Sequence, residues 1–86
     1  MKKQFEIKPE WNYKKIRGSS QITLIAWSSD EKRLYVEFYN GNIYSYSPCT
    51  FDKFKEFAEA SSVGKYFHTH IKQLETTKIS NGKTKD

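Results

Sequence analysis

The chain has 86 residues, 36% of them hydrophobic and 16% aromatic, and a formal net charge of +5. A chain of this length can form one small domain whose thin core leans on a few large side chains, here the six Phe and six Tyr. The single cysteine, Cys49, excludes an internal disulfide and fits a reducing interior, so the expected compartment is the cytoplasm, or the host cytoplasm for a phage-encoded protein; no apolar run is long enough for a membrane span or a signal peptide.

The charge is unevenly spread. Residues 1–17 carry six basic and two acidic groups, residues 18–74 six and six, and residues 75–86 three and two. The chain therefore divides into a basic, aromatic N-terminal arm (1–17), an electroneutral domain (18–74) and a polar tail (75–86). In the arm Lys2, Lys3, Lys8, Lys14, Lys15 and Arg17 alternate with Phe5, Trp11 and Tyr13. Such a segment can steer toward phosphate and stack on bases. Equally, Phe5, Ile7, Trp11 and Ile16 can cover the domain while the lysines solvate that cover.

After a joint at residues 18–20, Gln21 to Trp27 is a β-prone run whose apolar residues do not alternate cleanly. This predicts a strand that meets protein on both faces, central in the sheet or covered by the arm. A polar turn over 28–32 leads into Arg33 to Tyr46, two alternating runs meeting at Asn40-Gly41, the strongest short-range hairpin signal. Two registers are open. A two-residue loop gathers Tyr35, Tyr39, Tyr44 and Tyr46 on an outer face suited to stacking bases or docking a peptide. A three-residue loop with Gly41 in a left-handed bulge places Tyr44 and Tyr46 beside Leu34 and Val36 in the core. The bulged loop is preferred because it adds volume to the apolar face, although it turns Ile43 outward.

Two helices follow. Thr50 is a good N-cap for residues 51–60, which place Phe51, Phe54, Phe57 and Ala58 on one arc opposite Asp52, Lys53, Glu56 and Glu59. Ser61-Ser62 offers a second cap before Val63 to Leu74, with Val63, Phe67, Ile71 and Leu74 at helical spacing. Residues 79–86 read as a frayed polar tail. The predicted fold is α+β: a three-stranded antiparallel meander, with the arm as a candidate further strand, packed on two C-terminal helices. Edge strands of such a sheet leave the choice between monomer and dimer open.

The ordered set Ser19-Ser20-x-Ile22, Leu34-x-Val36-x-Phe38, Gly41, Tyr44-x-Tyr46 and Ala60-x-Ser62-x-Gly64-x-Tyr66-Phe67, leading to Ile71, resembles the KTSC domain family. Ala26-Trp27 replaces a frequent Gly-Tyr, and His68 stands where Asn is common. The resemblance implies a small domain found alone in bacterial and phage proteins and at the C-terminus of some lysyl-tRNA synthetases. That association suggests RNA.

The candidate sites are few. Ser62, Gly64 and Lys65 form an anion-binding candidate: a helix start with free N–H groups, a hydroxyl, a glycine that admits close approach, and a countercharge. The alternative is that the serine caps and the glycine permits close packing. His68 and His70 point apart on a helix and cannot clamp a metal together. Glu56 and Glu59, or Cys49 with a histidine, lack the surroundings that acid/base or nucleophilic catalysis needs. The expectation is a non-catalytic binding module without a cofactor. RNA or single-stranded nucleic acid would be held by Lys14, Lys15 and Arg17, with Trp11, Tyr13, Tyr44 and Tyr46 as stacking or anchoring residues. The other class is a protein-interaction module, such as a phage or prophage factor acting on a host protein through the same aromatics.

Overall fold

Asn40-Gly41 closes its hairpin in the bulged form. The Phe38 N–H donates to the Asn42 carbonyl at 2.9 Å and the Gly41 N–H to the Phe38 carbonyl at 2.7 Å, with Gly41 at φ +90°. Leu34 then faces Tyr46 and Val36 faces Tyr44 across the pair. In this computed structural model of the protein, which describes residues 8–19 and 21–80, the hairpin belongs to a five-stranded antiparallel sheet whose strands lie side by side in chain order. The strands are β1 (Asn12–Lys15), β2 (Ile22–Ser28), β3 (Arg33–Phe38), β4 (Ile43–Ser47) and β5 (Glu75–Ser80).

The α+β class stands, and the meander gains a strand on each side. The arm supplies β1, which pairs with β2 so that Tyr13 faces Ala26 and Lys14 faces Ile25. β2 is accordingly central, and both of its faces are buried: Ile25 and Trp27 toward the core, Ala26 and Ser28 on the other side. The second addition corrects the reading of the C-terminus. Ile79 and Ser80, expected in a frayed tail, end β5, which pairs along β4 with Thr76 facing Tyr46 and Lys78 facing Tyr44. The rest of that tail, residues 81–86, lies outside the described residues, as do Lys2, Lys3, Phe5 and Ile7 of the arm.

Helix α1 (Phe51–Glu59) starts where expected: the Thr50 hydroxyl accepts the Lys53 N–H at 3.2 Å. Phe54 and Phe57 are buried against the sheet, whereas Phe51 stays partly exposed and leans on the Trp27 ring at 5.3 Å. Helix α2 (Val63–Tyr66) is shorter than predicted and passes into a π-helical turn over Phe67–Ile71. The wider turn still buries Phe67 and Ile71, at the spacing the sequence suggested, but Leu74 falls in the connection to β5.

The core joins Ile22, Ile25, Trp27, Leu34, Val36 and Tyr46 of the sheet to Phe54, Phe57, Phe67 and Ile71 of the helices, with Cys49 between them. Burying each such large apolar side chain contributes roughly 1.5–3 kcal/mol. Trp27 meets its polar obligation inside the core, its indole N–H donating to the Cys49 carbonyl at 2.7 Å. No buried side-chain nitrogen or oxygen among the described residues lacks a partner.

Candidate functional site

The hairpin register removes the tyrosine platform. Tyr46 is only 4% exposed and packs edge-on against Phe67 at 5.5 Å, and burial pushes its hydroxyl pKa up to about 12. Tyr44 is half-buried against Phe38, with the Lys78 ammonium 5.9 Å from its ring centre. Trp11, expected as an anchor for a partner, stacks on Tyr35 at 4.8 Å with the rings 9° from parallel. Ile16 packs on the core. For Trp11 and Ile16 the arm is thus a cover for the domain. Tyr13 remains 56% exposed, on the sheet face opposite the helices.

What the chain does gather is a cleft of about 460 Å³ between the end of β1 and the turn joining the two helices. Lys14, Arg17, Gly18 and Ser19 line one side, Ala60, Ser61, Ser62 and Gly64 the other, and His68 also lines it. Two groups some forty positions apart in sequence meet here: the basic end of the arm and the Ser62–Gly64 segment. No aspartate or glutamate lines the cleft. Its charged side chains are the cations Lys14 and Arg17 with no carboxylate, so the field in the cleft favours a negative group over a positive one.

The cations differ in their commitments. The Lys14 ammonium donates to the Ala58 carbonyl at 2.8 Å, in the last turn of α1, which has no basic residue of its own. Lys14 therefore ties the arm to the helix and complements the negative end of its dipole. Arg17 makes no hydrogen bond or ion pair within the described residues and is exposed. Lys15 is exposed on the far side of β1 and does not line the cleft, so of Lys14, Lys15 and Arg17 only the first and last share it.

The Ser62–Lys65 segment also divides. The Ser62 hydroxyl accepts the Lys65 N–H at 3.3 Å and so caps α2. Gly64 is not explained by packing, because a Cβ there would meet nothing within 4 Å. Its bare backbone faces the open cleft. Gly18, on the opposite wall, is held at φ +85° and likewise has open space beside it. Ser19 organises that wall by accepting the N–H groups of Gln21 and Ile22 at 3.2 and 3.1 Å. Lys65 points its lining surface to a neighbouring hollow instead. Sequence reasoning missed Gly18, Ser19 and His68 as cleft residues, since nothing local marks a wall completed by a distant helix.

Cys49 is fully buried, and desolvation raises its thiol pKa to about 11, so it is a protonated core side chain at neutral pH. Among the described residues no set of three or more His, Cys, Asp or Glu side chains is grouped to hold a metal, and no helix is long and apolar enough to cross a membrane.

The KTSC domain family profile matches residues 18–74. The crystal structure of a KTSC domain protein from Yersinia pestis superposes with a TM-score of 0.73 at 26% identity, covering 81% of this chain and 99% of that one. No curated protein matches the chain.

Proposed function

Since the chain belongs to the KTSC domain family, we propose that it is a small binding module that holds the phosphate backbone of single-stranded nucleic acid, RNA in the first place, in the cleft between β1 and α2. The observation that carries this reading is the lining of the cleft: Arg17 and Lys14 beside Ser62, the bare backbones of Gly18 and Gly64, and no carboxylate. Arg17 is the main phosphate contact, because a planar guanidinium offers paired donors and this one has no partner among the described residues. Lys14 adds charge while holding the wall in place. Single strands suit the site better than a duplex, because a cleft of about 460 Å³ admits one sugar-phosphate unit at a time rather than a helical groove.

The test is fluorescence anisotropy of labelled single-stranded RNA and DNA across a salt series, with wild type beside Arg17→Glu. Lys14 is left intact because its substitution would loosen the wall itself. Binding that weakens with salt and falls at least tenfold in the variant is the expected result. Absence of binding at low salt overturns the reading and favours the protein-interaction alternative, with exposed Tyr13 and Phe51 as the aromatic anchors to test next.

A further inference from the structure

The cleft has a neighbour of different character. A second hollow of about 640 Å³ lies across Ala60, Ser61 and Ser62, which line both. In it the rings of Tyr66 and His70 lie 4.4 Å apart, tilted by 38°. Tyr66 also stacks on Phe57, which is fully buried, at 5.5 Å and 19°. His70 is exposed, so the pair offers ring surface to solvent while being backed by the core. Glu56 and Glu59 stand on the same hollow. Glu56 accepts the Tyr66 hydroxyl at 2.8 Å, which fixes the phenol, whereas the Glu59 carboxylate has no hydrogen bond or ion pair among the described residues.

Lys65 also lines this hollow, but the two carboxylates outnumber it, so the lining disfavours a phosphate and not a neutral base. The ring surface matches the flat face of a base, and a carboxylate matches an edge that donates hydrogen bonds. Guanine presents two adjacent donors, N1–H and N2–H, to the two oxygens of one carboxylate. Uracil presents a single N–H flanked by two carbonyl oxygens, which a carboxylate opposes. Because the two hollows meet at Ala60–Ser62, a strand whose phosphate lies in the cleft can lay a base in the second one.

We propose that this hollow is a base subsite of the same strand, that it selects guanine, that Glu59 reads the Watson–Crick edge, and that His70 with Tyr66 forms the stacking floor. The inference rests on the nucleic-acid reading of the cleft. Its test compares a short uridine-only ribo-oligonucleotide with the same oligonucleotide carrying one guanosine, titrated against wild type, Glu59→Gln and His70→Ala. Both substitutions are at exposed positions, and circular dichroism verifies that the variants are folded. The guanosine oligonucleotide binds wild type about tenfold tighter. Glu59→Gln abolishes that preference without weakening the uridine-only strand, and His70→Ala weakens the guanosine strand selectively. Equal binding of the two oligonucleotides by wild type overturns the subsite and leaves the phosphate reading standing. Failure of both to bind overturns the two together.

Discussion

Gly64 separates architecture from function more sharply than any other residue. It sits in the first turn of α2 with no positive φ, and an added Cβ meets no atom within 4 Å. Helical glycine costs conformational entropy relative to alanine, so Gly64→Ala stabilises the protein by about 0.5 kcal/mol, read as a small rise in Tm. The same methyl group intrudes on the cleft wall and weakens single-stranded RNA binding severalfold. A variant that is more stable and binds as well as wild type would show that the glycine does not serve a ligand. Lys14 and Arg17 make the complementary pair: Lys14 spends its charge on the Ala58 carbonyl, worth on the order of 0.5–1 kcal/mol, while Arg17 has none of its charge engaged among the described residues.

At the scale of elements, β5 has the most to say about stability. It covers the edge of β4, and without it the backbone beside Tyr44 and Tyr46 would lie open. A chain ending after residue 74 retains the whole family match yet is expected to associate or lose its cooperative unfolding transition, measurable by sedimentation and thermal melting. A monomeric truncation with an unchanged transition would show β5 to be dispensable. This strand is also where the sequence misleads. Glu75 to Ser80 holds one large apolar residue, Ile79, and every side chain described in it is exposed, so no alternation marks it as a strand; its stability comes from backbone pairing with β4. The hairpin, by contrast, is legible because Asn40-Gly41 marks the turn, while its bulged register follows only from the volume that Tyr44 and Tyr46 add to the apolar face; the caps Thr50 and Ser62 are legible because each hydroxyl directly precedes an apolar helical stretch. The second helix is half legible: Phe67 and Ile71 keep their spacing in both an α-helix and a π-turn, so periodicity does not tell the two apart. The candidate site was legible only as fragments. Arg17 and Gly64 each carry a local signal, but their meeting depends on the turn between the helices folding back over the end of β1, a contact between distant segments that no short pattern reports.

The whole molecule is a thin, aromatic core with several protonated groups inside it. Burial raises the pKa of Cys49 from 9.0 to about 11, and that of Tyr35 and Tyr46 from 10.0 to about 12, with the Glu31 hydrogen bond adding to the effect on Tyr35. Each keeps its proton in the folded chain after it would lose it in the unfolded one. The unfolded state then binds fewer protons, and stability falls as pH rises. Between neutral pH and about pH 9 these groups leave the melting temperature unchanged, and from there toward about pH 12 they are expected to lower it steadily. A melting temperature that does not fall across that window would contradict the burial of these groups. The charge has a similarly plain distribution: an electroneutral domain carries a basic arm whose last cation, Arg17, stands at the mouth of a carboxylate-free cleft. Nucleic-acid binding in that cleft is tested by titrating isotope-labelled protein with single-stranded RNA and following the backbone amide resonances. Shifts are expected to concentrate at Arg17, Gly18, Ser62 and Gly64. Shifts confined to Trp11, Tyr13 and Tyr35 on the opposite face of the sheet, or none at all, would contradict it.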